Sequence, residues 1–235
     1  VWETTVDGRQ LHFQLAGINN QNFLMRDQET GSWWQQVSGE AILGPLKGKQ
    51  LKGVFHDEIT FATWKREEPN GRVLKPDSRI ESAGDYAPAN WEERMDRVPV
   101  ATTTVDNSLP QRELIVGLKL NGASKAYPLR VLKKQNPIID SLGGVAIIVV
   151  LGDDGKSVRA FETMIAGEKG EFFLKPDVTP TQLVDSRGST WDFSGKAISG
   201  PATGQQLNKV FVLLDYWFDW KTYNPSTKIY ELWFD

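Results

Sequence analysis

Along the chain, apolar positions recur in short runs broken by glycine, proline, asparagine and aspartate, the spacing of strands joined by tight turns. Residues 2–5 and 11–15 flank an Asp7-Gly8 turn and predict a hairpin. A further strand is expected over 22–27, and Glu29-Thr30-Gly31-Ser32 turns the chain into another over 33–37. Residues 39–54 predict short strands parted by Gly-Pro and Gly turns. Thr60 can cap a short helix whose Phe61 and Trp64 share a face, and Pro69-Asn70-Gly71 ends it. Residues 72–74 are a candidate closing strand. Farther on, 113–120 and 124–129 surround Asn121-Gly122, a strong hairpin signal. A short helix is expected near 130–140, and the unbroken apolar run 145–151 has the length of a buried strand. Trp217 and Trp220 repeat the helical face of Phe61 and Trp64, and 228–233 is a second candidate closing strand.

These elements recur in order because part of the sequence does. Gly39 to Pro69 returns at Gly195 to Pro225 with an offset of 156 and no gap, and 13 of the 31 positions are identical. Typical residue frequencies of roughly 5–7% would give about two matches, so chance is a poor account. Ser32 and Trp34 match Ser189 and Trp191 at an offset of 157, which carries the likeness into the preceding strand with one residue of slippage. The shared residues are mainly glycines, prolines and apolar residues, the kinds that set turns and fill cores. The expected fold is therefore mainly β (α+β), two diverged copies of a strand-rich unit with short helices: 1–75 as the C-terminal part of the first, 76–97 as a linker or long loop rich in Pro, Ser, Gly, Asp and Ala, and 98–235 as the second. Matching the turn at Val6-Asp7-Gly8-Arg9 with that at Asp153-Asp154-Gly155-Lys156 leaves the first copy without its opening half. The polypeptide is then expected to continue upstream of Val1 by roughly fifty residues or more.

Composition narrows the chemistry. A net charge of −3 without long runs gives no electrostatic footprint for nucleic acid, and no stretch approaches the ~18–20 apolar residues of a membrane-spanning helix. With no cysteine, thiolate metal sites, iron–sulfur clusters, disulfides and cysteine nucleophiles are excluded within these residues.

Several stretches resemble the bacterial domain of unknown function 3179 family: Ala126-Tyr127-Pro128-Leu129-Arg130-Val131-Leu132, then Asp140-x-x-Gly143-Gly144-Val145, and above all Asp27-x-x-Thr30-Gly31-Ser32-x-Trp34 running on through Gly39-x-Ala41-Ile42-x-Gly44-Pro45-x-x-Gly48. The resemblance implies no established activity, and because its members look mostly like exported proteins it implies a periplasmic or extracellular location. The family pattern also carries a Cys-Pro-Leu-Cys element ahead of the Asp-Gly hairpin. Here the second unit reads Val149-Val150-Leu151-Gly152-Asp153-Asp154, so chemistry that needs that pair cannot run in this copy.

Candidate site residues are few. Asp27 with Glu29 and Asp57 with Glu58 are paired carboxylates that could divide acid and base work or bind a hard cation, and the plainer account is turn formation and charge near a helix start. Asp27, Thr30, Ser32 and His56 make up the candidate polar site; neither His12 nor His56 has a partner at metal-ligand spacing, and no metal or cofactor is expected. Among nine tryptophans, those common to both copies, Trp34 with Trp191 and Trp64 with Trp220, are expected in the core. Trp33 and Trp91 are the candidate binding surface. The reading these features favour is a non-catalytic binding or assembly module with a protein partner, an accessory subunit of a larger complex. Its rivals are an enzyme or metal/redox protein whose cysteine-containing site lies upstream of residue 1, completed by Asp27, Ser32 or His56, and a glycan-binding module.

Overall fold

The computed structural model describes residues 1–79, 90–95, 97–102, 105–165 and 167–231. Residues 80–89 and 96 of the expected linker over 76–97, and Trp233, lie outside the described residues. The protein is mainly β. A small hairpin of β1 (Thr5–Val6) and β2 (Arg9–Gln10) turns at Asp7-Gly8 and leads into a four-stranded antiparallel meander, β3 (Phe13–Asn19), β4 (Asn22–Asp27), β5 (Trp33–Gln35) and β6 (Ala41–Leu43). Helix α1 (Phe61–Glu67) follows, with Thr60 as its N-cap accepting from the Thr63 N–H as its sequence predicts, and then α2 (Trp91–Met95).

The remaining strands build two packed sheets and a second meander. β7 (Leu114–Leu120) and β8 (Ala123–Pro128) form the Asn121-Gly122 hairpin and lead through α3 (Leu129–Leu132) to β9 (Ile138–Leu142), β10 (Val145–Leu151) and β11 (Val158–Glu162). A hairpin of β12 (Met164–Ile165) and β13 (Glu168–Lys169) precedes the meander β14 (Phe172–Leu174), β15 (Gln182–Asp185), β16 (Thr190–Asp192) and β17 (Ala197–Ser199). β18 (Lys209–Val210) and β19 (Val212–Tyr216) then join different sheets before α4 (Trp217–Tyr223) and β20 (Lys228–Ile229). Strand orders are β18-β11-β10-β9 and β19-β7-β8-β20, and only the β8–β20 pair within them is parallel.

β10 is the middle layer. Successive side chains of a strand point to opposite faces, so Ile147, Val149 and Leu151 pack against Val116, Leu118 and Tyr127 of the β7–β8 sheet, while Ile148 and Val150 pack with Phe161 of the neighbouring β11 against Leu183 and Trp191 of the second meander. That is why its sequence is apolar without alternation. β7 is likewise covered on both sides, by the β10 layer and, through Ile115, by Trp217 and Trp220 of α4. The first meander closes over its own small core of Val6, Leu11, Trp34, Ala41 and Leu51.

The two meanders carry matching bonds. Gln50 Nε2 donates to the carbonyls of Ser38 and Leu51, and Gln206 Nε2 to those of Ser194 and Leu207. A β carbon on Gly39 would lie 2.9 Å from the Trp2 ring, and one on Gly195 would lie 2.4 Å from the Phe161 ring, so both turns need glycine for close approach as well as for their positive φ of 72° and 83°.

Three expectations change. The Leu11 N–H bonds the Thr4 carbonyl as Gly170 N–H bonds that of Thr163, and Glu3 N–H reaches Lys52 as Glu162 N–H reaches Asn208. The Asp7-Gly8 hairpin thus shares its backbone bonding with β12–β13 rather than with the Asp153–Lys156 turn. The helix expected near 130–140 ends at Leu132: a residue before proline disfavours the α region, and Asn136 instead brackets Leu151, donating to its carbonyl and accepting from its N–H at 2.9 Å, which sets β9 beside β10. Residues 72–74 form no strand: Val73 and Leu74 are 65% and 94% exposed, and among the described residues no strand pairs with them.

Gly117 is where the layering is tightest, since a β carbon there would stand 2.3 Å from the Trp220 ring. Gly117→Ala is expected to cost about 1–3 kcal/mol in urea unfolding, the range of overpacked cores. Gly122→Ala, with open space around its β carbon, tests only the cost of positive φ at the neighbouring turn.

Candidate functional site

Asp27, Thr30 and Ser32 come together as the turn between β4 and β5. Asp27 is 1% exposed, and its carboxylate accepts from Trp34 Nε1 at 2.8 Å, from the Thr30 N–H at 2.6 Å and from the Thr30 hydroxyl. Ser32 Oγ lies 2.6 Å from Thr30 Oγ1 and accepts from the Leu46 N–H at 3.0 Å, tying the turn to the loop after β6. Burial alone would raise the Asp27 pKa, but the bonds from Trp34 and Thr30 outweigh it and hold the carboxyl below its ordinary value. The second meander has the same device: Asp185 accepts from Trp191 Nε1 at 2.9 Å and from the Ser189 N–H, and Ser189 Oγ accepts from the Ala202 N–H at 3.0 Å. Asp185 lacks a threonine equivalent, and that one-residue gap hides it from an ungapped comparison with Asp27. Every oxygen of Asp27 and Ser32 is engaged in holding a turn, which is the work of a structural clamp.

His56 joins a different group, at the crossing from the first meander onto the second half of the chain. Its ring stands 4.8 Å from that of Phe211, and Nε2 is 3.9 Å from Glu58 Oε1. The two acids that follow it part company. Asp57 accepts from Arg159 Nη2 at 2.9 Å and from Lys209 Nζ at 2.8 Å, and these cations overcome burial to lower its pKa. Glu58 turns the other way and accepts from the Leu214 N–H at 2.7 Å; burial raises its pKa despite that bond and the nearby histidine. Adjacent residues of an extended chain face opposite sides, so one carboxylate meets cations and the other meets a protein interior.

Glu58 faces two more acids. Asp215, accepting from the Tyr216 N–H, is pushed up to about 8, by burial first and then by the charge of Asp219. Asp219, which accepts from Asn22 Nδ2 of the first meander, is raised by burial as well, and burial and the Asp219 charge raise Tyr223. Two carboxyls sharing a proton can hold an acid and a base side by side. The spacing of Asp215 and Asp219 across the start of α4 was the available signal for this pair, and sequence reading passed over it. Among the described residues no group of three or more His, Asp or Glu is arranged to hold a metal ion.

The tryptophans divide. Trp34, Trp191 and Trp220 are buried as expected, and Trp64 is half-buried. Trp33 sits half-buried on the other side of β5 from Trp34, within 3.6 Å of where a β carbon on Gly17 would stand. Trp91 is 46% exposed on α2.

A family model described as protein of unknown function (DUF3179) matches residues 1–227. No curated protein and no solved structure matches the chain.

The acid group gives the fold a pH dependence whose sign is fixed. Between the ordinary aspartate pKa near 4 and about 8, Asp215 holds a proton in the folded protein and none in the unfolded one, so stability falls as pH rises through this window. The groups facing it are Asp219 and Glu58, with His56 beside Glu58 and Tyr223 beside Asp219. Asp215→Asn is expected to match the parent at pH 4 and to exceed it by about 1 kcal/mol or more at pH 8 in urea unfolding. A difference between variant and parent that is the same at both pH values would show that Asp215 keeps its ordinary pKa in the folded protein.

Proposed function

The chain belongs to the DUF3179 family of proteins of unknown function, and from that premise we propose that it is a non-catalytic binding or assembly module that engages a protein partner outside the cytoplasm. The observation that carries this reading is the edge of the first meander. β3 is an outer strand, and the β3–β4 hairpin holds Leu15, Ile18 and Phe23 at 64, 67 and 52% exposure, with Ile18 and Phe23 directly paired across the strands. An apolar edge strand is a ready template for another chain, by added strand pairing or by side-chain burial. The second meander repeats the arrangement more weakly with Phe173, 55% exposed on its outer strand β14. The matched bonds of the two meanders support the reading of the chain as two diverged copies of one unit, each offering such an edge. The exported character that the family resemblance implies supports an extracytoplasmic place.

One observation favours a second reading: Trp91, half exposed, offers a ring face on which a sugar can stack.

A photo-crosslinking residue placed at Phe23 in the intact source cell decides the first reading. Expected is a single cross-linked protein, lost when Ile18→Asp is added and absent when the probe stands at Leu74, which is exposed but far along the chain from the hairpin. Loss of the Ile18→Asp effect, or labelling from Leu74 alone, would sink it. Quenching of Trp91 fluorescence by oligosaccharide, removed by Trp91→Ala, would establish the glycan reading instead.

A further inference from the structure

Helix α1 and the residues on either side of it match, at the constant offset of 156, a stretch that is packed very differently later in the chain. In the later stretch β19 pairs antiparallel with β7, α4 lies over the β7–β8 hairpin, and β20 pairs parallel with β8. Trp217 and Trp220 enter a core with Ile115 and Ala126, and Ile229 packs at its rim. The Tyr230 ring stacks on that of Tyr127 with centroids 5.4 Å apart, and Gly117 lets the Trp220 ring come down onto β7.

The earlier stretch has the helix without a hairpin beneath it. Residues 56–60, at the offset of β19, and 72–74, at that of β20, pair with no strand among the described residues. Phe61, in the place of Trp217, is 61% exposed where Trp217 is 1% exposed. Ala62 is exposed where Phe218 is buried, and Val73 and Leu74 stand open in the places of Ile229 and Tyr230. The surrounding frame is nevertheless set as in the later stretch. Trp2 bridges Gly53 as Phe161 pairs with Lys209. A β carbon on Gly71 would stand 2.4 Å from the Trp64 ring, and Thr227, at the offset of Gly71, accepts from Trp220 Nε1 at 2.8 Å. Thr60, Thr63 and Glu67 fix α1 from another side through Asp154 and Arg159, so its aromatic face is uncovered on a helix that is firmly held. A held apolar face with an unpaired extended segment on each side suits a strand pair, whose backbone bonds the segments and whose side chains cover the rings.

We propose that this face receives a β-hairpin of the same polypeptide, carried N-terminal to Val1, with one strand antiparallel to 56–60, the other parallel to 72–74, and a glycine beneath Trp64. The source follows from the later stretch, where the covering hairpin precedes its helix in the same chain. The β7–β8 hairpin of a second copy cannot serve, because both of its edges and its α4 side are taken. This inference rests on the reading of the chain as two diverged copies and not on the β3–β4 edge.

The test compares residues 1–235 alone with the purified polypeptide from its source, by hydroxyl-radical labelling and amide hydrogen exchange. Expected is strong labelling of Phe61 and Leu74 in residues 1–235, lost in the source polypeptide, with Phe23 labelled equally in both. Exchange at 56–60 and 72–74 is expected to slow about ten-fold or more in the source polypeptide, as pairing into a sheet requires. A photo-crosslinking residue at Leu74 is expected to join the source chain to its own residues N-terminal to Val1. Leu74→Asp is expected to lower the melting temperature of the source polypeptide by about 2–4 °C and to leave that of residues 1–235 unchanged. Equal labelling in the two forms, unchanged exchange, a cross-link to another polypeptide or to residues 75–235, or an equal effect of Leu74→Asp on both forms would each overturn the docking. A covering segment without a glycine four residues before its turn, as Gly117 stands before Asn121-Gly122, would overturn the proposal through the two-copy reading on which it rests. The Phe23 cross-link reports intermolecular products alone, so the edge reading and this one fail separately.

Discussion

A guanidinium with almost no access to water is costly to bury without partners, and the docking of the first half of the chain onto the second rests on how the terminal nitrogens of Arg159 are met. Arg159 stands on β11 with 4% of its side chain exposed, its guanidinium carbon 4.8 Å from the Phe193 ring centroid. Its partners come from the first half of the chain: both oxygens of Glu67 on α1, each at 2.7 Å, and Asp57. Asp154 adds a second clasp, accepting from the Thr60 and Thr63 hydroxyls at the start of the same helix and from Ser157, and these bonds hold its pKa well below the ordinary range against the effect of burial. So α1, counted from sequence as part of residues 1–75, is bound to a strand and a turn of the second half. Ile59 follows it into the apolar core under the second meander.

That docking decides where the neighbouring acids go. With Asp57 drawn to Arg159 and Lys209, Glu58 has only the opposite side to face, where Leu214 and Asp215 of β19 stand. The contrast between two adjacent carboxylates is therefore a consequence of one buried cation. Their partners lie about a hundred residues or more along the chain, so no local pattern distinguishes them.

What the sequence makes legible is what depends on nearest neighbours. The Asn121-Gly122 hairpin, the Thr60 cap and the buried strand at Val145–Leu151 each rest on a local rule, and each stands where that rule puts it. The failures share a cause in long-range pairing. Residues 130–140 contain good helix formers, but Ile138–Leu142 gains more as the outer partner of β10, with Asn136 locked onto Leu151. The Asp7-Gly8 turn looks like any Asp-Gly turn, and only its backbone partners show which later hairpin it resembles. Asp27, Thr30 and Ser32 were legible as a group because a short turn gathers them, whereas His56 sits with Phe211 and Glu58.

The clustered acids and the clamped turns argue for the same division of labour. A catalytic carboxylate needs a free oxygen aimed at a reacting group. The Asp27 oxygens are spent on Trp34 and Thr30, those of Asp185 on Trp191, Ser189 and Arg187, and Asp219 on Asn22 and Asp215. Polar groups satisfied internally rigidify what they join, here the meander turns and the contact between the β3–β4 hairpin and α4. A rigid hairpin loses little conformational freedom when it docks, which is the condition under which a small apolar surface such as Leu15, Ile18 and Phe23 can bind productively. With these carboxylates holding turns and strands, the exposed apolar side chains Leu15, Ile18 and Phe23 at the β3 edge are where the proposed partner surface lies.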